Sequence, residues 1–164
     1  MDSVVVTNEN VEEIFKNALQ DPSLLSAIDI DQLLNMMDNP KTDYLENRTM
    51  PELANDVSDA LTQLLNDDLK ILEYKIKLGG YRLVDELHEL HKGKHVRWIR
   101  RENGKLTNGG IVVDIRFLDN GTHILCMNSM RKFIQYKFDD CLTFQKLSTE
   151  EQLILMAYEY ANDH

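Results

Sequence analysis

The chain has 164 residues, 43% of them hydrophobic and 28% charged, with a net charge of −10. That length allows one domain or a small domain with a helical extension, and the apolar content excludes global disorder. No apolar run approaches the roughly 20 residues that span a bilayer, and the start MDSVVVTNEN lacks a basic n-region and a long apolar h-region, so a soluble, intracellular protein without a membrane partner is expected.

Charge is divided along the chain. Met1 to Leu69 carries 15 acids against 3 basic residues, Lys70 to Leu147 carries 15 basic against 9 acidic, and Ser148 to His164 adds 4 acids. The hydrophobic period changes from helical to alternating near the first break, so the chain reads as α+β: an acidic N-terminal helical region over 1–78, then a basic β half over 79–164. Opposite charge on the two halves favours docking of one on the other.

Asn10 and Glu13 have capping-box spacing, and Val11, Ile14, Phe15, Ala18 and Leu19 recur at helical intervals, which predicts a helix over about 11–20. Asp21-Pro22 starts further short helices or turns up to Pro40. Thr49 and Glu52 repeat the capping pattern, and no proline or glycine follows Pro51 until Gly79-Gly80. A long helix over about 50–78 is expected, with a break at Asn66-Asp67-Asp68 as the alternative. Its apolar stripe, including Leu53, Val57, Leu61, Leu64, Leu72 and Ile76, is either an internal packing face or a helix interface for a protein partner or a second copy.

Gly79-Gly80 opens the β half. The segment YRLVDELHELHKG spaces Leu83, Val84, Leu87 and Leu90 as a short helix ending at Gly93. Five strands are expected next: His95–Arg101, Ile111–Phe117, Ile124–Asn128, Phe133–Phe138 and Leu142–Leu147. In the second, Ile111, Val113, Ile115 and Phe117 alternate with Val112, Asp114 and Arg116, and Asp119-Asn120-Gly121-Thr122 is a hairpin signal. Five short strands over about 94–147 predict a small, curved β-barrel with flanking helices. Ser148 and Glu151 cap a last helix through about Ala161, whose Leu153, Ile154, Ala157, Tyr160 and Ala161 would plug the barrel or dock on the helical half.

A helix leading into such a barrel resembles, in architecture over about 82–147, the Sm-like and Tudor-like folds, although the paired motifs of Sm proteins are not present. The segments GGYRLVDELHELHKGKHVRWI, KLTNGGIVVDI and CLTFQKLS, between Gly79 and Ser148, are similar to a recurrent domain in uncharacterised proteins of large double-stranded DNA viruses of eukaryotes. That resemblance implies a viral setting in the host cytoplasm, nucleus or virion, and carries no catalytic assignment.

Chemistry is sparse. His88, His91 and His95 have helical metal-ligand spacing, but Gly93 interrupts them and no cysteine lies near; Asp29, Asp31 and Asp38 lack the glycine and final acid of a calcium loop. Asp67-Asp68 and Asp139-Asp140 read as solvated charge. Cys126 and Cys141 stand in no metal or nucleophile pattern and read as free thiols, while Gly79-Gly80 and Gly109-Gly110 lack the helix and Lys-Ser/Thr of a phosphate loop. No catalytic residue, metal or cofactor is expected. Lys92, Lys94, Arg97, Arg100, Arg101 and Lys105 cluster around Trp98, the composition of a barrel face that binds nucleic acid or another anionic partner. The primary expectation is a non-enzymatic interaction or scaffold protein, with a nucleic-acid-binding accessory factor as the alternative.

Overall fold

A computed structural model describes residues 44–46 and 48–163, the last four by backbone alone. The helices expected over 11–40 and the Asp29/Asp31/Asp38 segment lie outside the described residues. Among the described residues there are three α-helices, α1 (Met50–Leu64), α2 (Asp68–Lys77) and α3 (Thr149–Asp163). Six strands follow the order β1 (Tyr81–Val84), β2 (His95–Arg100), β3 (Gly110–Leu118), β4 (Gly121–Met127), β5 (Phe133–Lys137) and β6 (Cys141–Lys146). The chain divides into two compact units, Ala54–Lys146 and Met1–Leu53 with Leu147–His164. The junction expected near residue 78 falls within the first of these.

The smaller unit is organised by the expected cap of α3. Ser148 Oγ accepts the Glu151 N–H, and Glu151 Oε1 accepts the Ser148 N–H, both at 3.1 Å. The capped helix presents Leu153, Ile154 and Leu155 to Leu45, Leu53 and Leu147, and the Tyr44 hydroxyl donates to Glu151 at 2.8 Å.

In the sheet unit, the long helix expected over 50–78 is two helices. Asp67 ends the break, its Oδ1 accepting the N–H groups of Leu69 (3.0 Å) and Lys70 (3.3 Å), so a short polar side chain replaces the helical bonds that the first turn of α2 cannot make.

The sheet is antiparallel, in the order β1-β6-β2-β3-β4-β5. All five expected strands are present, but the short helix expected after Gly80 is instead β1, paired with β6 from Tyr81↔Lys146 to Val84↔Thr143, followed by a single 3-10 turn at Leu87–Glu89. The sheet is not a closed barrel: β1 and β5 remain its two edges. It is strongly curled nonetheless. Trp98 on β2 stacks on Tyr136 of β5 with ring centroids 4.1 Å apart, although three strand spacings of a flat sheet would separate them by roughly 14 Å. The Tyr136 hydroxyl reaches Thr143 of β6 at 3.1 Å.

Alternation then gives the sheet two faces. The inner face buries Val84, Val96, Trp98, Val112, Ile124, Cys126, Tyr136 and Cys141, with Leu87 and Leu90 of the 3-10 segment closing over it. Two buried polar side chains secure that segment: Arg82 donates to the Glu89 carbonyl, and Gln145 Oε1 accepts the His91 N–H at 2.8 Å. The outer face of β1, β6 and β2, with Leu83, Ile99 and Phe144, is covered by Val57, Leu61 and Leu65, by Tyr74 of α2 and by Leu78, which caps that helix.

Gly109 enters the sheet at φ +76°, and a Cβ there would overlap the Val96 carbonyl oxygen. Gly109→Ala should therefore lower unfolding stability by about 3 kcal/mol or more, from backbone strain plus a clash with fixed backbone. Gly80→Ala, with φ +82° but open space, should cost only about 1 kcal/mol. Urea denaturation of the two variants checks the difference.

Candidate functional site

The basic cluster read from 92–105 does not form one surface. Lys92 lies 3.3 Å from Asp114. Arg97 Nε donates to the Thr107 carbonyl at 2.9 Å, which makes it a tie between β2 and the loop that follows. Trp98 is 1% exposed and lies under Tyr136, so it is core and offers no stacking platform. Lys94, just before β2, and Arg100, at its far end, stand roughly 20 Å apart at strand rise. Lys105 is exposed in the loop beyond.

Arg100 and Arg101 do meet other cations. With His123, Gln135 and Lys137 they line an open cleft of about 620 Å³ beside edge strand β5, but Glu102, Asp139 and Asp140 share its walls. Opposite charges on one rim cancel much of the field an anion would feel. Cys141 lies at the same cleft, and burial pushes its thiol up to about 11; burial alone pushes Cys126 up to about 12. Both sulfurs are therefore protonated near neutrality and lack thiolate reactivity. Among the described residues no group of three His, Cys, Asp or Glu side chains converges as metal ligands. His88 lies beside Glu86, His91 beside Gln145 and His95 beside Tyr81.

The helix interface read from α1 and α2 is likewise divided. Leu53, Val57 and Leu61 are buried and Leu64 is partly buried, all serving internal packing. Leu72 (55% exposed) and Ile76 (73%) are free, and Leu69 (79%) joins them at i, i+3 and i+7 on the outward side of α2.

A second exposed apolar surface was not anticipated. Among the described residues no helix packs on the outer face of β3, β4 and β5, and cross-strand pairing aligns their outward residues in rows. Ile111, Met127 and Phe133 form one row; Asp114, Leu125 and Gln135 the next; Arg116, His123 and Lys137 the third. Ile111 is 47% and Phe133 63% exposed. The cause is a bulge at Val113, where the register shifts between Val112 and Asp114. Strict alternation would turn Ile111, Val113 and Ile115 to one side. The extra residue instead sends Val112 and Ile115 inward and leaves Ile111 and Val113 outside.

No protein-family model matches the chain, and it matches no curated protein and no solved structure. No helix among the described residues is long and apolar enough to cross a membrane.

At the border between covered and bare halves, the Tyr81 hydroxyl and His95 Nδ1 are 2.9 Å apart. Burial lowers the His95 pKa, and Arg97 and Lys146 lower it further; burial raises that of Tyr81, which keeps its proton and donates to the neutral ring. A histidine held neutral contributes stability that is whole above its unfolded pKa of about 6.5 and is lost as the pH falls through that value toward the lower folded one. Wild type should therefore lose stability between pH 7 and pH 5.5 more steeply than His95→Gln, as measured by denaturant midpoints at each pH.

Proposed function

We propose that this chain is a non-enzymatic protein-interaction or scaffold protein of the kind encoded by large DNA viruses, acting inside the host cell or the virion. The observation that carries the reading is the outer half of the sheet, where Ile111, Val113 and Phe133 are exposed and belong to no core cluster among the described residues. Contiguous exposed apolar side chains rimmed by polar ones mark contact surfaces. The α2 stripe adds a second such patch on the same unit. Two buried, protonated thiols suit a reducing compartment, and the cleft beside β5 offers charge of both signs without a nucleophile and base in contact. The viral setting is supported by the resemblance over residues 79–148.

In an extract of the native source, immobilised full-length chain should retain a partner saturably, and Phe133→Glu should reduce that retention at least tenfold while leaving the thermal melt unchanged. Equal retention by wild type and variant would remove the sheet face from the reading.

A nucleic-acid-binding accessory factor is the second reading. It rests on Arg100, Arg101 and Lys137, which meet at the cleft without an ion-pair partner among the described residues. It ranks lower because Glu102, Asp139 and Asp140 line the same space. Fluorescence anisotropy with a single-stranded oligonucleotide should give a Kd no tighter than about 10⁻⁴ M at physiological salt. Tighter binding that weakens steeply with salt and is lost in Arg100→Ser/Arg101→Ser would reverse the ranking.

A further inference from the structure

Helix α2 turns Ile71 and Tyr74 toward the sheet, and at about 100° per residue Leu69, Leu72 and Ile76 fall on the opposite side, each more than half exposed. Their spacing of three and then four residues is that of the seam in a coiled coil. Charged side chains flank the seam. Asp68 and Lys75, nearly two full turns apart, share one flank; Glu73 and Lys77 lie on the other and bond to each other at 2.8 Å. Asp68 and Lys75 are exposed and form no ion pair among the described residues.

We infer that α2 is the interface of a two-fold dimer, packed antiparallel on α2 of a second copy through Leu69, Leu72 and Ile76. This rests on the protein-interaction reading above and names a partner for the helix stripe; the outer face of β3–β5 takes no part in it.

The charge pattern selects both the second copy and its direction. A two-fold axis normal to the helix pair, passing beside Leu72, keeps each flank on its own side and reverses it end to end. Leu69 then meets the partner's Ile76, and Leu72 meets the partner's Leu72. On the first flank Asp68 comes level with the partner's Lys75 to within about 3 Å along the axis, and symmetry makes that contact twice. Parallel packing would instead set Asp68 against the partner's Glu73, also twice. Only the antiparallel seating therefore turns this flank into attraction. It also lays the positive end of each helix dipole beside the negative end of the other. On the second flank Glu73 lies near its own copy, and Lys77, bonded to it within each helix, offsets that charge.

The contact is small. Leu69, Leu72 and Ile76 expose on the order of 100 Å² each, so two copies would bury about 600 Å² of apolar surface. With the flanking charged side chains the total reaches roughly 1,000 Å², the size of weak, reversible pairs. A Kd on the order of 10⁻⁵ to 10⁻⁴ M follows for such a dimer.

Sedimentation equilibrium of the purified full-length chain, from about 5 to 500 µM in about 50 mM salt, tests the inference. The weight-average mass should rise from 19.1 kDa toward twice that value. Leu72→Glu/Ile76→Glu should remain monomeric throughout with unchanged circular dichroism, since both side chains are exposed. Asp68→Lys and Lys75→Glu should each weaken association about tenfold, because each leaves like charges facing one another at two symmetric contacts. Asp67, and not Asp68, caps the helix, so the helix content of both should hold. Mixed, the two should associate more tightly than either alone. The cation introduced at position 68 of one then faces the anion introduced at position 75 of the other, and the native Lys75 of the first faces the native Asp68 of the second.

A wild type that is monomeric at the highest concentration overturns the inference, and so does a Leu72→Glu/Ile76→Glu variant that still dimerises. A mixture of the two charge variants that associates no better than its parts also overturns it, because the helices then do not run antiparallel. None of these outcomes touches capture of a different partner by Phe133 from an extract, so the broader reading stands or falls separately.

Discussion

The curl of the sheet depends on one contact, the stack of Trp98 on Tyr136. It draws the far edge strand back over the centre of the sheet and fixes the Tyr136 hydroxyl against Thr143. A tilt of 15° between the planes at 4.1 Å lets both rings bury a full face, and aromatic pairs of this kind add about 0.5–1.5 kcal/mol beyond their area. The indole N–H meets no acceptor among the described residues, so the ring serves through its faces. Burial also holds the Tyr136 phenol protonated and able to act as the donor to Thr143. The inner core, which gathers side chains from β1 through β6, follows from that closure.

The inside of the curl is filled partly by polar groups. Arg82 and Gln145 use buried side chains to satisfy the backbone of the 86–91 segment, which could not pair with a strand and still lay Leu87 and Leu90 over the core. A capping arrangement at Glu86 and Glu89 tightens the same segment, with Glu89 Oε2 accepting the N–H groups of Asp85 and Glu86. The inner face is thus closed by the 86–91 segment, whereas on the outer face the described helices cover three of the six strands.

Local signals in the sequence were good guides to the elements and poor guides to their faces. The Ser148 cap, the Asp119-Asn120 hairpin and five of six strands could be read because each is set by a few adjacent residues. β1 was legible only as a helix, since Leu83, Val84, Leu87 and Leu90 fit a helical period; pairing with β6 prevailed over that period and made Arg82 an inward side chain. Closure into a barrel was inferred from the discomfort of free edges, which the chain meets by curling. The bulge at Val113 leaves no mark in a run of β-branched residues, so the exposed row it creates could not be seen. The basic run looked like a patch because its members are neighbours in sequence; alternation along β2 and the carbonyl of Thr107 scattered it.

The lengths of the strands bear on solubility. Interior β3 and β4 have nine and seven residues, whereas the two edges, β1 and β5, have four and five. An unpaired edge is a template for adding further chains, and its danger grows with its length and flatness. Here one edge is too short to register more than a few bonds. The other is turned inward at Tyr136 and bordered by Lys132 and Lys137, charges that an incoming strand would have to accommodate. A molecule can then expose apolar faces at high concentration without offering a margin along which fibrils grow.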